Sequence, residues 1–228
     1  MEINTTNMST LSTLIEFIDN KLIPNLGMKS VRPFDPIVVS YVPDPWILLG
    51  VGNYAAALTH PDFSEYVVKI YAPGRPGIKE EVEAYEKIKS HPAYSQCFYH
   101  TENYLILKRL KGKTLYTCIK EGIQIPKSVI IDIDEALDYA RSLGLNPHDV
   151  HVKNVMIVKD KGVVVDISDF TETTKCRLWD DCKKSYYKVY LPFFYKYHPA
   201  IPELYLNLVR KSYRLYKKTK KKFNQQFD

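Results

Sequence analysis

Between Trp46 and Leu110 the chain reads as strands broken by a single helix, and beyond Gly112 it reads as helices broken by a single hairpin. Trp46 to Leu49 is apolar and runs into Gly50-Val51-Gly52. Ala55 to Thr59 and Tyr66 to Tyr71 (Tyr-Val-Val-Lys-Ile-Tyr) follow as further β-prone runs. Pro73-Gly74-Arg75-Pro76-Gly77 makes the break, after which Ile78 to Lys89, rich in Glu and Lys, predicts a helix. Phe98 to Tyr99 and Tyr104 to Leu110 resume the strands around the turn Thr101-Glu102-Asn103. Thr114 to Lys120 and Val129 to Leu143 predict helices, and Ile130, Ile133, Ala136, Leu137 and Ala140 keep one face of the second apolar. Val155 to Val158 and Val163 to Asp166 predict a hairpin about Lys159 to Gly162. Trp179 to Tyr197 and Pro202 to Phe223 predict the last helices. A doubly wound sheet needs regular alternation of strand and helix, which this order excludes. The expected fold class is α+β, in two lobes: a small sheet-rich one and a larger helical one.

Three segments follow: 1–45, a helix and connector; 46–110, the sheet-rich lobe; 111–228, the helical lobe. In the first, Leu11, Leu14, Ile15, Ile18 and Leu22 recur at helical spacing, with Ser9 or Thr10 as a cap and Pro24 and Gly27 as the stop. Val31 to Pro45 carries four prolines around Ile37-Val38-Val39, an extended connector with one short strand. Hydrophobic residues at 45% against 25% charged exclude wholesale disorder. Cys97, Cys118, Cys176 and Cys182 form no CxxC pair, which argues against structural zinc and suits reduced thiols. The start of the sequence lacks the basic region and apolar run of a leader, and no uncharged apolar stretch approaches the ~20 residues of a membrane span. The expectation is a soluble cytoplasmic protein.

Net charge is +6, yet Arg210 to Lys222 holds eight basic residues and no acid, so the body is nearly neutral and the basicity is a tail. A solvated helix end is the default reading of such a run. Contact with a polyanion, either anionic lipid or nucleic acid, and docking of an acidic substrate protein are the others.

Three groups of residues suggest chemistry. Leu49-Gly50-Val51-Gly52-Asn53-Tyr54-Ala55 could let backbone N–H groups approach phosphate oxygens. A dinucleotide-binding turn needs a helix next and an acid about 20 residues on, and both are missing; an ordinary hairpin fits as well. Lys69 lies in an apolar strand on the same side as Val67 and Tyr71, where it either faces solvent at an edge or meets a phosphate while held by a carboxylate. Glu81 is the natural partner, because it shares a helix face with Tyr85 and Ile88, whereas Glu80 and Glu83 project elsewhere. Last, Asp149 and Asn154 lie five apart in a loop after a helix, and Asp166 ends an apolar run twelve residues further on. An acid to accept a hydroxyl proton, with an amide oxygen and a carboxylate for Mg²⁺, is what phosphoryl transfer requires. Asp169 competes for the metal role. A metal-dependent phosphohydrolase built on His148-Asp149 lacks the further His and Asp it would need.

Together these stretches resemble the protein-kinase-like superfamily over residues 46 to 185, most closely small single-domain bacterial serine/threonine kinases, with affinities to Rio-type kinases and aminoglycoside phosphotransferases. Leu49 to Ala57 looks like the glycine-rich loop, Tyr104 to Gly112 like the strand entering the hinge, Asp149 to Asn154 like the catalytic loop, and Asp166-Ile167-Ser168 stands where DFG would. The resemblance implies a bilobal fold with ATP between the lobes. Phosphates would meet Leu49, Gly50, Gly52, Asn53, Tyr54, Ala55 and Lys69, the last oriented by Glu81. Adenine would meet the backbone of Lys108 to Leu110, with Leu107 as gatekeeper. Asn154 and Asp166 would bind Mg²⁺, or Mn²⁺ in its place, and Asp149 would orient the acceptor hydroxyl. His151 takes the place of the usual catalytic-loop lysine, as in the antibiotic kinases. No arginine precedes Asp149, and no long activation segment or Ala-Pro-Glu follows Asp166. The implied activity is ATP-dependent serine/threonine protein phosphorylation. The alternatives are an aminoglycoside- or choline-like small-molecule kinase and a nucleotide-binding regulator with little catalysis.

Overall fold

The computed structural model describes residues 5–32 and 35–224, and within them the side chains of 8–32, 35–213 and 215. Helix α1 (Thr5–Phe17) runs on into a π-helical turn (Ile18–Leu22), and strands β1 (Gly27–Lys29) and β2 (Val38–Tyr41) pair antiparallel behind it. Next come β3 (Ile47–Val51), β4 (Ala55–Thr59) and β5 (Tyr66–Tyr71), helix α2 (Ile78–Ile88), then β6 (Cys97–His100) and β7 (Tyr104–Lys108). These five strands form one antiparallel sheet in the order β3-β4-β5-β7-β6.

Strand alternation divides that sheet into two faces. Ala56, Leu58, Val68, Ile70, Tyr104 and Ile106 point one way and pack with Leu14, Ile18 and Leu22 of the N-terminal helix, all three fully buried. His60 joins this cluster, edge-on to the rings of Phe17 and Trp46. The other face carries Ala55, Val67, Lys69, Tyr71, Leu105 and Leu107, and it packs against α2 and the helices that follow. In α2 the buried residues are Glu81, Ala84, Tyr85 and Ile88, the i, i+3, i+4, i+7 stripe of an amphipathic helix.

Beyond Gly112, β8 (Lys113–Thr114) leads into α3 (Leu115–Glu121), which Thr114 caps by accepting from the Thr117 N–H at 3.0 Å. Helix α4 (Lys127–Ser142) buries Ile130, Ile133, Ala136, Leu137 and Ala140, as its sequence period predicts. Strands β9 (Val155–Val158) and β10 (Lys161–Val164) form the expected hairpin, and β8 adds a third strand to it. Val164 N–H donates to Ala93 O at 2.9 Å, and this bridge ties β10 to the chain just after α2. Helices α5 (Leu178–Ser185) and α6 (Glu203–Asn224) follow.

Four local features depart from the sequence reading. Helix α1 covers Ser9 and Thr10 instead of starting there. Strands β1 and β8 are only three and two residues long, too short to show a period. The expected helix from Trp179 to Tyr197 passes at Tyr186 into wider π-helical turns up to Phe194, which contain Pro192, a residue with no N–H to donate. The strand expected to reach Asp166 ends at Val164, because Val165 N–H turns to Asn154 O at 2.9 Å. Of the basic tail, Arg210 and Lys211 are exposed, while the side chains of Arg214, Lys217, Lys218, Lys220, Lys221 and Lys222 lie outside the described residues.

Candidate active site

Register brings Lys69 opposite Ala57 on one side and Leu105 on the other, in the middle of the sheet. Its side chain is only 16% exposed, and its ammonium meets both oxygens of Glu81 at 2.8 Å and Asp166 Oδ1 at 3.0 Å. The solvent-facing edge lysine is therefore excluded. Burial alone pulls its pKa down, but Asp166 and Glu81 outweigh that and hold the ammonium well above its ordinary value. Glu81 is fully enclosed; burial drives its pKa up against the pull of Lys69.

One participant carried no signal in the sequence. Tyr71 stands two residues after Lys69, so it projects from the same face, and its hydroxyl donates to Glu81 Oε2 at 2.5 Å. A β-prone tyrosine in a core strand looks like packing, and only the register with α2 shows otherwise. Tyr71→Phe is expected to lower stability by about 1.5–3 kcal/mol, the usual worth of a buried hydrogen bond to a charged group. A shift of the urea midpoint at unchanged slope measures it; a loss near zero means Glu81 does not need the phenol.

Asp166 follows β10 and is turned by its own bonding: Oδ1 accepts from Lys69 and from Ser168 N–H at 3.2 Å, and neither of these bonds engages Oδ2. Burial pushes its pKa up, Lys69 pulls it down further, and the net is a carboxylate below the ordinary range. Asp149 goes the other way. Burial raises it, His151 opposes and Asp166 adds to the rise. Asp149 also has φ +53°, a left-handed backbone that Asp tolerates better than most residues and that recurs at functional loops. Two neighbouring carboxylates whose environments drive their pKa values apart are a frequent mark of divided acid–base roles.

Asn154 Nδ2 donates to Asp149 O at 3.0 Å, which fixes the loop and turns the amide oxygen away from it. The bond from Val165 N–H to Asn154 O sets this residue beside the approach to Asp166. In the same loop the Nδ1 of His151 is buried without a hydrogen-bond partner. Asp169, the competing acid, is raised by burial and then by Asp149 and Asp166, but Lys69 pairs with Asp166.

The remaining residues surround this centre less directly. Leu49 and Gly50 lie on β3, and among the described residues a Cβ added at Gly50 would meet nothing within 4 Å. Gly52 N–H donates to Ala55 O at 2.9 Å, and Tyr54 O accepts from Ala72 N–H, closing the hairpin over the start of the turn before α2. Leu107 is buried. Lys108 N–H is taken by Gln96 O and Arg109 N–H by Glu65 O, both at 2.8 Å; Ser95 Oγ donates to Lys108 O at 2.7 Å. These bonds already use two of the three amides expected to face adenine.

These residues suit a metal–nucleotide pair. A carboxylate and an amide oxygen are few ligands, as Mg²⁺ requires when phosphates and water supply the others, and Gly50 leaves room for phosphate oxygens. Among the described residues no cluster of three or more His, Cys, Asp or Glu could hold a metal without such help.

An antiparallel sheet whose central lysine is ion-paired to a helix glutamate, joined to a set of helices around one hairpin, marks a kinase-like α+β protein. A Bacillus subtilis (strain 168) protein, "Putative serine/threonine-protein kinase YrzF", is 33% identical over 172 residues, which span 73% of this chain and 78% of that one. The chain belongs to that kinase-like family. No protein-family model matches it.

Proposed function

We propose that the chain is an ATP- and Mg²⁺-dependent phosphotransferase that passes the γ-phosphate to a serine or threonine hydroxyl of a protein. The observation that carries this reading is the contact of Lys69 with both Glu81 and Asp166, since it gathers residues 97 apart in sequence about one ammonium. Residues 46–110 would then form the smaller lobe and 111–228 the larger, with the nucleotide between them. Lys69 would hold phosphate oxygens, Gly50 and Gly52 would admit them to the backbone, and the Lys108 to Leu110 stretch would meet the base. Asn154 and Asp166 would hold Mg²⁺, which supplies charge neutralisation on the phosphates. Asp149, with its raised pKa, would align the acceptor hydroxyl and take its proton. Most of the rate gain in such a site comes from positioning and electrostatics.

A small-molecule acceptor is the second reading. It is favoured by the short path from Asp166 to α5 at Leu178, which leaves little chain to build a peptide platform. Purified protein incubated with γ-labelled ATP, generic protein acceptors and a panel of sugars and amino alcohols decides between them. Label on protein supports the first reading and label on a small alcohol the second. Mg-ATP binding without any transfer, and without effect of Asp149→Asn, leaves a nucleotide-binding regulator and sinks both.

A further inference from the structure

Helix α6 leaves one side unused. Leu204, Tyr205, Leu208 and Val209 are 68%, 59%, 51% and 67% exposed, and spacings of one and four residues place them in a single stripe. Four large apolar side chains in water along one helix face are a surface to be covered. The helix is held to the rest of the protein through polar groups instead: Tyr213 OH donates to Asp181 Oδ2 at 2.7 Å, while Glu203 accepts from Tyr116 OH and pairs with Lys120 at 3.6 Å. Arg210 to Lys222 then adds eight basic residues without an acid.

We propose that α6 is a membrane-surface anchor whose stripe from Leu204 to Val209 enters the headgroup region of an anionic bilayer while the basic residues beyond it meet lipid phosphates. Charge complementarity selects this occupant. A second copy would bring the same positive run against itself. Nucleic acid would satisfy the charges but leave the apolar stripe in water. An anionic lipid surface takes both at once. Among the described residues no helix is long and apolar enough to cross a membrane, so α6 would lie on the surface. This inference does not rest on phosphotransfer.

Flotation of the full chain with phosphatidylcholine vesicles, with and without phosphatidylglycerol, tests it. Binding is expected only with phosphatidylglycerol and should fall at high salt. Leu204→Gln with Leu208→Gln should weaken it about tenfold, by removing buried apolar area. Lys217→Gln, Lys218→Gln and Lys221→Gln together should weaken it about a hundredfold, at ~1 kcal/mol per basic residue near the surface. Both variants should keep the parent's circular dichroism and its phosphotransfer in solution, which separates failure here from failure of the active site. Equal binding to neutral vesicles, or none, overturns the proposal. So does vesicle binding that the leucine variant leaves intact while RNA or DNA binds as tightly, or a dimer in solution that the leucine variant dissociates.

Discussion

Asp166→Ala should abolish Mg-ATP-dependent transfer, with a loss of about 10³-fold or more, and leave the protein folded. Two effects compete in this substitution. Losing Asp166 takes one carboxylate from Lys69, which disfavours a buried ammonium. Glu81 remains, however, with both oxygens at 2.8 Å, so the ammonium keeps a full countercharge and the cost to the fold is the smaller effect. Among the described residues near it, Asn154 offers only a neutral oxygen, and Asp169 is held above its ordinary pKa by burial and then by Asp149 and Asp166. The measurement is labelled-phosphate turnover by the purified variant beside its thermal melt. Retained turnover with an unchanged melt would refute the metal role.

Ile18→Ala should cost about 2–5 kcal/mol of stability, the range for truncating a fully buried aliphatic side chain. That is a large part of the 5–15 kcal/mol that holds a typical domain together. Ile18 has no exposed surface and packs in the cluster with Ile37, Trp46, Leu58, Val68 and Ile106. Lys69 lies on the opposite face of β5 from Val68, so the loss belongs to folding, and molecules that remain folded should turn over normally. Urea denaturation gives the number; a change below about 0.5 kcal/mol, the scale of surface substitutions, means the π-helical turn after α1 does not cover the sheet.

What could be read from the residues, and what could not, follows from how local each signal is. Tyr66 to Tyr71 declared itself a strand, and Glu81 with Tyr85 and Ile88 declared one buried helix face, because both patterns complete themselves within a few residues. The family followed from ordered motifs, each weak by itself. The service of Leu14, Ile18 and Leu22 was invisible: their spacing predicts a helix, but which sheet face lies beneath it depends on contacts with residues as distant as Tyr104 and Ile106. Tyr71 was hidden for a similar reason, since a phenol aimed at a carboxylate and a phenol in a core have the same strand spacing. The π-helical turns at Tyr186–Phe194 were missed because aromatic density says buried, not how the backbone winds.

Glu81 sits sealed from solvent with two donors closing on its carboxylate, and this fastens α2 in place. Swinging the helix outward would leave the Tyr71 phenol without its acceptor, take one of two carboxylates from Lys69 and strip Glu81 of both donors. An on–off cycle that levered this helix would have to refund all three at every stroke. Control over such a molecule acts more cheaply from outside, through what reaches Lys69 and Asp166, than through the posture of its own scaffold.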